Sequence, residues 1–224
     1  MRLNELYTSV QGEGPGVGHM TQFIRFGGCN LRCAGWPCDT QHAIDPKLYR
    51  HEWIQHTVDE IMARVQPYPR RVTLTGGEPF LQPMAEVVDL GVALHNAGYT
   101  TEVFTNGTIL WPKWHIGAWQ YIMDWKLAGS GEDPYNANRF ENLKRLSAVD
   151  AVKFVIKDED DFKQAVHLWE TYINRKSSVQ VYYGAVWGAV EDKQLVEWAQ
   201  RECLDWKLNV QMHNYIFNRD DRGI

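Results

Sequence analysis

Val72-Thr-Leu-Thr75-Gly76-Gly77-Glu78-Pro79 is a short β-branched strand that runs into a glycine turn, and it sets the reading of the rest of the chain. Upstream, Thr57-Val-Asp-Glu60 has the form of a capping box. Val58, Ile61, Met62 and Val65 follow at helical spacing, and the proline-rich Gln66-Pro-Tyr-Pro69 stops the helix. Downstream, Met84, Val87, Leu90 and Leu94 trace the apolar face of a second helix, closed by Gly98. Residues 100–105 read as the next strand, followed by the turn Asn106-Gly107, and residues 121–124 as another. Residues 138–146 read as helix and 151–156 as a strong strand; Phe162, Val166, Trp169 and Ile173 then mark a helix. Residues 179–183 are strand-like, Leu195, Trp198 and Ala199 lie on a helix, and residues 208–213 form a last strand.

Strands alternating with helices call for right-handed βαβ units on a parallel sheet. Six such strands fall short of the eight that close a barrel. The expected fold is therefore α/β, an incomplete and open β/α barrel of about six parallel strands. Chemistry in such sheets sits at the carboxyl ends of the strands. The Gly76-Gly77-Glu78 turn, Thr105-Asn-Gly-Thr108 and Asp124-Trp125-Lys126 all fall there.

The chain has 224 residues, 44% hydrophobic and 23% charged, without repeats or Ser/Gly linkers, so residues 1–224 are expected to form a single domain. A net charge of −5 argues against a broad surface for nucleic acid. No apolar run approaches the ~20 residues that cross a bilayer. The start, Met1-Arg-Leu-Asn-Glu5, has no charged leader before an apolar stretch, and the expected setting is cytoplasmic. Thiols stay reduced there. Cysteines 29, 33 and 38 thus read as metal ligands, and Cys203 as a buried small hydrophobe.

The cysteines stand in Gly27-Gly28-Cys29-Asn-Leu-Arg-Cys33-Ala-Gly-Trp-Pro-Cys38-Asp39-Thr40. Four thiolates saturate a [4Fe–4S] cluster, and three leave one iron open. A small bidentate ligand, such as the amino and carboxylate groups of S-adenosylmethionine (SAM), can take that iron, as substrate takes the open position of a catalytic zinc. The competing reading is a structural zinc site with His42 or another histidine as fourth ligand. Spacing alone leaves both open.

The Cys-Asn-Leu-Arg-Cys start and Thr75-Gly-Gly-Glu-Pro79 resemble the radical SAM superfamily. Within it, the chain resembles the 7-carboxy-7-deazaguanine synthase family of queuosine biosynthesis. The likeness includes Tyr7-Thr-Ser-Val-Gln-Gly-Glu-Gly14, Phe23-Ile-Arg25-Phe-Gly-Gly-Cys29, Thr105-Asn-Gly-Thr108, Lys153-Phe-Val and Gln211-Met-His213. The resemblance implies a radical SAM fold and a lyase that contracts 6-carboxy-5,6,7,8-tetrahydropterin to 7-carboxy-7-deazaguanine with loss of ammonia. It also implies a [4Fe–4S] cluster on Cys29, Cys33 and Cys38, SAM, Mg²⁺, an external one-electron reductant and a homodimer that binds neither membrane nor nucleic acid.

Carried over residue by residue, the resemblance gives substrate contacts to Val10, Gln11, Gly12 and Glu13 on an N-terminal hairpin, and to Arg25 for the carboxylate. Thr75, His213 and Ile224 join them, and Thr40 is the Mg²⁺ ligand. SAM contacts fall to Gly76, Gly77, Glu78, Asp124, Trp125, Lys126, Tyr182 and Tyr183. Several positions depart from the family's pattern. Asp124-Trp125-Lys126 stands for Ser-Pro-Lys, and Tyr182-Tyr183 lies near where a Gln-Pro pair is common. Phe104 replaces a glutamate for which Glu102, on the same strand face, is a candidate substitute. The cysteine loop is C-x3-C-x4-C rather than C-x3-C-x2-C, with Gly35 and Trp36 or their neighbours as the addition. The alternatives are another radical SAM enzyme, such as a glycyl-radical activase, and a non-catalytic zinc module. The first does not need the Gln11–Gly14 segment together with Arg25, and the second leaves Thr75–Pro79 and Thr105–Thr108 unexplained.

Overall fold

The computed structural model describes residues 1–36, 38–111, 119–173, 178–218 and 221–223. Among them nine strands form one open sheet in the order β3-β1-β2-β4-β5-β6-β7-β8-β9. The strands are β1 (Arg2–Val10), β2 (Met20–Phe26), β3 (Ile54–Gln55), β4 (Arg71–Gly76), β5 (Thr100–Thr105), β6 (Trp119–Trp125), β7 (Ala151–Ile156), β8 (Gln180–Ala185) and β9 (Lys207–Leu208). Pairing is parallel from β2 through β9, while β1 pairs antiparallel with β2 and with β3. Five of the six strands expected from the sequence are present in their places, the sixth is reduced to Lys207–Leu208, and β2 joins them as a seventh parallel member.

Parallel strands need apolar side chains on both faces. On β4, Val72 and Leu74 are fully buried and Thr73 is nearly so. Helix Met84–Asn96 lays Val87, Leu90 and Leu94 on the outer face. Its Gly91 meets Trp119 so closely that any Cβ there would lie inside the indole. Trp111 stacks on Tyr121 at 5.0 Å in the same layer. A smaller apolar group of Ile122, Ala151, Tyr182 and Phe104 fills the concave side.

The capping box at Thr57 and Glu60 forms in both directions, at 3.2 and 2.8 Å, and starts helix Val58–Met62. Helix Glu159–Leu168 continues as a wider turn through Trp169–Ile173, matching the apolar spacing there. Residues 138–146 hold only the short helix Phe140–Leu143.

Two expectations fail. The last strand stops at Leu208, because Asn209 turns its side chain to Gly14 N and Met212 N donates to Gly12 O instead of to a strand partner. His213 accordingly begins a short helix, His213–Ile216. Cys203 is exposed, not buried: it takes the left-handed position (φ 52°) just past helix Asp192–Arg201, where the chain turns outward. Among the described residues no helix is long and apolar enough to cross a membrane.

Candidate active site

The carboxyl ends of the parallel strands surround a cavity of about 330 Å³ lined by Cys29, Cys33 and Cys38 on one side and by Gln11, Glu13 and Arg25 on another. Backbone packing sets the first cysteine. A Cβ on Gly76 would fall 2.2 Å from Phe26 O, and one on Gly77 would fall 2.1 Å from Gly28 O. The two glycine turns thus pack main chain to main chain, with Glu78 N donating to Gly28 O at 2.9 Å. Asn106 of the turn after β5 then donates to Asn30 Oδ1 (3.1 Å) and to Cys29 Sγ (3.7 Å). Leu31 N also points at Cys29 Sγ, 3.4 Å away. Cys38 Sγ and Thr40 Oγ1 lie 3.4 Å apart.

Burial raises all three thiol pKa values, that of Cys33 to about 12, with Lys126 opposing the rise and Asp124 and the other two thiols adding to it. Thiols so reluctant to ionise alone suit a site in which bound iron supplies the compensating charge. The zinc alternative fares worse. Among the described residues no three His, Cys, Asp or Glu side chains converge on one ion, and His42 Nε2 lies 3.3 Å from Glu5 Oε2.

Part of the lining is ionic. Lys153, on β7, bonds Glu13 Oε2 at 2.9 Å and approaches Asp124 at 3.6 Å, and Asp124 also pairs with Lys126 at 3.1 Å. Gln211 donates to Glu13 Oε1 at 2.8 Å. Burial alone would push the Glu13 carboxyl up, but Lys153 and Gln211 outweigh it and hold it at about 2. Asp124 Oδ1 is buried without a hydrogen-bond partner among the described residues.

Gln11 is committed within the protein. Its Nε2 donates to Thr73 Oγ1 and Glu102 Oε2, both at 3.0 Å, and its Oε1 accepts from Glu13 N. Glu102 lies fully buried below Phe104 and pairs with Arg71 at 2.7 Å. It anchors the loop after β1 and does not reach the cavity in place of the missing glutamate; Phe104 gives that wall an apolar face. Gly12 sits against His213, whose Nδ1 would be 2.2 Å from a Cβ. Arg25 donates from Nε to Glu5 (3.1 Å) and from Nη2 to Tyr7 OH (2.8 Å). Burial works against its charge, but Tyr7 and Glu5 more than offset this.

Of the other expected site residues, Val10, Thr40, Thr75, Gly76, Gly77, Lys126 and His213 line the cavity. Glu78 does not. It is fully buried and accepts from Phe80 N, Thr105 Oγ1 and Asn106 N; burial raises its pKa to about 7 against those bonds. Trp125 points to the far face, where it meets Phe140 at 4.9 Å, because strand side chains alternate and Asp124 and Lys126 hold the cavity side. Tyr183 likewise packs near Trp206, and Tyr182 is buried beside Ile122. Ile224 lies outside the described residues.

Sequence reasoning gave no role to Lys153, Gln211, Tyr7 or Glu5. For Lys153 a signal was present: it is the lone charge in Ala151-Val-Lys-Phe-Val-Ile156, an otherwise apolar strand.

Residues 10–115, which contain the three cysteines, match the family model described as a 4Fe-4S single cluster domain. The crystal structure of QueE from Escherichia coli superposes with a TM-score of 0.71 at 23% identity, covering 95% of this chain and 94% of that one, and so shares the fold. An open parallel sheet with three cysteines around one cavity at its carboxyl edge is that of a radical SAM enzyme carrying a [4Fe–4S] cluster. The 7-carboxy-7-deazaguanine synthase of Clostridium acetobutylicum is 32% identical over 98% of this chain and 97% of its own length. That of Leptospira interrogans is 31% identical over 99% and 97%. The chain belongs to the 7-carboxy-7-deazaguanine synthase family. Such an enzyme works on a small-molecule substrate with an external electron donor.

Proposed function

We propose that the chain contracts 6-carboxy-5,6,7,8-tetrahydropterin to 7-carboxy-7-deazaguanine with loss of ammonia, as its relatives' name states of their product. The observation that carries this reading is one cavity holding the three thiols together with Arg25 and Glu13. When bound, the cluster on Cys29, Cys33 and Cys38 together with SAM supplies the one-electron chemistry that starts the ring contraction.

The chain's own residues do the rest. Arg25, fixed through Nε and Nη2, keeps its Nη1 for the substrate carboxylate. Glu13, ionised throughout the physiological range, accepts from the amino or ring N–H groups of the heterocycle with the lone pairs that Lys153 and Gln211 leave free. Main-chain groups of Val10 and Gly12, with Thr75 and His213, complete the substrate wall, and Phe104 and Ile122 keep water from the ring. On the SAM side, Gly76 and Gly77 expose main chain, the free Asp124 Oδ1 accepts from a ligand hydroxyl or amine, and Lys126 holds Asp124 in place. Trp125, Tyr182, Tyr183 and Glu78 support that wall from behind. Thr40 is the protein's Mg²⁺ ligand, with waters and substrate oxygens completing the shell. The whole chain acts as one domain whose β1–β2 hairpin presents the substrate loop, in the cytoplasm and as a homodimer.

The test is anaerobic reconstitution with iron and sulfide, then incubation with dithionite, SAM and 6-carboxytetrahydropterin, with products read by mass spectrometry. 7-Carboxy-7-deazaguanine is the expected product; formation of 5′-deoxyadenosine with the pterin left intact would sink the substrate assignment. In the same assay Arg25→Met is expected to raise KM for the pterin about tenfold or more, the worth of a charge-assisted bond, while uncoupled SAM cleavage persists.

A further inference from the structure

The longer cysteine loop has a partner. After β6 the chain makes a turn at Ala128–Ser130 and continues through Gly131 to Glu132. Glu132 Oε1 accepts from Arg32 N at 2.6 Å and from Cys33 N at 2.7 Å. Gly35 N donates to Ser130 O at 2.9 Å, and a Cβ on Gly35 would lie 1.9 Å from Gly129 O. The turn is itself held from behind: Gly129 N donates to Asp161 Oδ1 (2.7 Å) and Ala128 N to Gln164 Oε1 (2.9 Å), both on helix Glu159–Leu168. Cys33 has φ 45°, a left-handed conformation that a cysteine does not favour by itself.

We propose that Glu132 and the Ala128–Gly131 turn form a clasp that holds the extended cysteine loop, with Glu132 as the positioning residue for Cys33. Two backbone donors on one carboxylate pin Cys33 in its left-handed conformation and aim its thiol into the cavity. The glycine at position 35 lets the loop's main chain lie directly against that of Gly129 and Ser130. The stretch from Arg32 to Gly35 is thereby held in place before iron arrives. The proposal rests on the assignment of Cys29, Cys33 and Cys38 as cluster thiolates.

The experiment compares wild type, Glu132→Ala, Glu132→Gln, Gly35→Ala and Cys33→Ala on the full chain. Amide hydrogen exchange of the iron-free protein reads the clasp directly. Iron and sulfide content, and the rate of cluster bleaching by a chelator, read its consequence. Glu132→Ala is expected to speed exchange at Arg32 and Cys33 about tenfold and to bleach about tenfold faster, the worth of a charge-assisted bond. Glu132→Gln, which keeps an acceptor oxygen but loses the charge, should fall between wild type and Glu132→Ala. Gly35→Ala should reproduce the behaviour of Glu132→Ala while the carboxylate is intact, and it tests the clasp if Glu132→Ala does not fold. Unchanged exchange and bleaching in both Glu132→Ala and Gly35→Ala would overturn the clasp. Retention of a full cluster by Cys33→Ala would overturn the ligand assignment instead.

Discussion

Cys33→Ala folds but fails to hold a stable cluster after anaerobic reconstitution, and its turnover falls by more than the ~10–100-fold typical of losing a residue behind a metal ligand. The reason is geometric. Cys29, Cys33 and Cys38 are the three thiols on the cavity, and Cys203 lies exposed in another part of the fold. No other cysteine stands by to replace the missing thiolate. Iron and sulfide analysis with the visible absorbance of the cluster checks this. A full cluster in Cys33→Ala would mean that the cavity holds iron in some other way.

Lys153→Met is expected to be the most damaging substitution outside the cysteines. It leaves Glu13 and Asp124 in a buried wall without their shared cation, and breaking a buried pair in this way costs about 3–5 kcal/mol. The pH dependence identifies the cause. In the wild type the Glu13 carboxyl is held at about 2, below its value in the unfolded chain. A carboxyl with a depressed folded pKa adds stability that is fully present above its unfolded value, near 4.5, and that fades as pH falls towards 2. The gap between wild type and Lys153→Met, followed by denaturant unfolding, should therefore be widest near neutrality and shrink below about pH 4.5. Lys153→Arg keeps a cation and should recover most of the stability. A gap independent of pH would show that Lys153 contributes packing alone and that Glu13 is not held by it.

Much of this architecture is legible along the chain because its causes are local. The β-branched run at residues 72–75, the capping box at Thr57 and the apolar stripe from Met84 to Leu94 each need only neighbouring residues to be read. The cysteines mark a metal site in the same way, and the Thr75–Pro79 and Gln11–Gly14 motifs decide in favour of a cluster. What stays hidden depends on partners far off in sequence. Nothing near Gln11 reveals that Thr73 and Glu102 consume its amide, and nothing near Gly35 reveals the main chain of Gly129. Trp125 and Tyr183 are a different case. Strand alternation alone turns one residue of each adjacent pair away from the cavity, so Trp125 cannot share a face with Asp124 and Lys126. The strand expected at residues 208–213 shrinks to Lys207–Leu208, because Asn209 and Met212 bond to the loop after β1.

The joining of that loop to the far end of the chain also sets a timetable. Gly14 meets Asn209, and Glu13 meets Gln211, across 195 and 198 residues, whereas Cys33 meets Glu132 across 99. Contacts between distant segments form late, after the intervening structure is in place. Asn209 and Gln211 follow β9, which rests on β8 and so on the whole parallel series. Pulse-labelled exchange during refolding should thus protect the Cys33 amide before that of Gly14, and simultaneous protection would contradict this order. On that order a newly folding molecule would be competent to receive iron before it is competent to receive substrate, and an immature chain carrying a cluster would have no assembled pocket in which to start its chemistry.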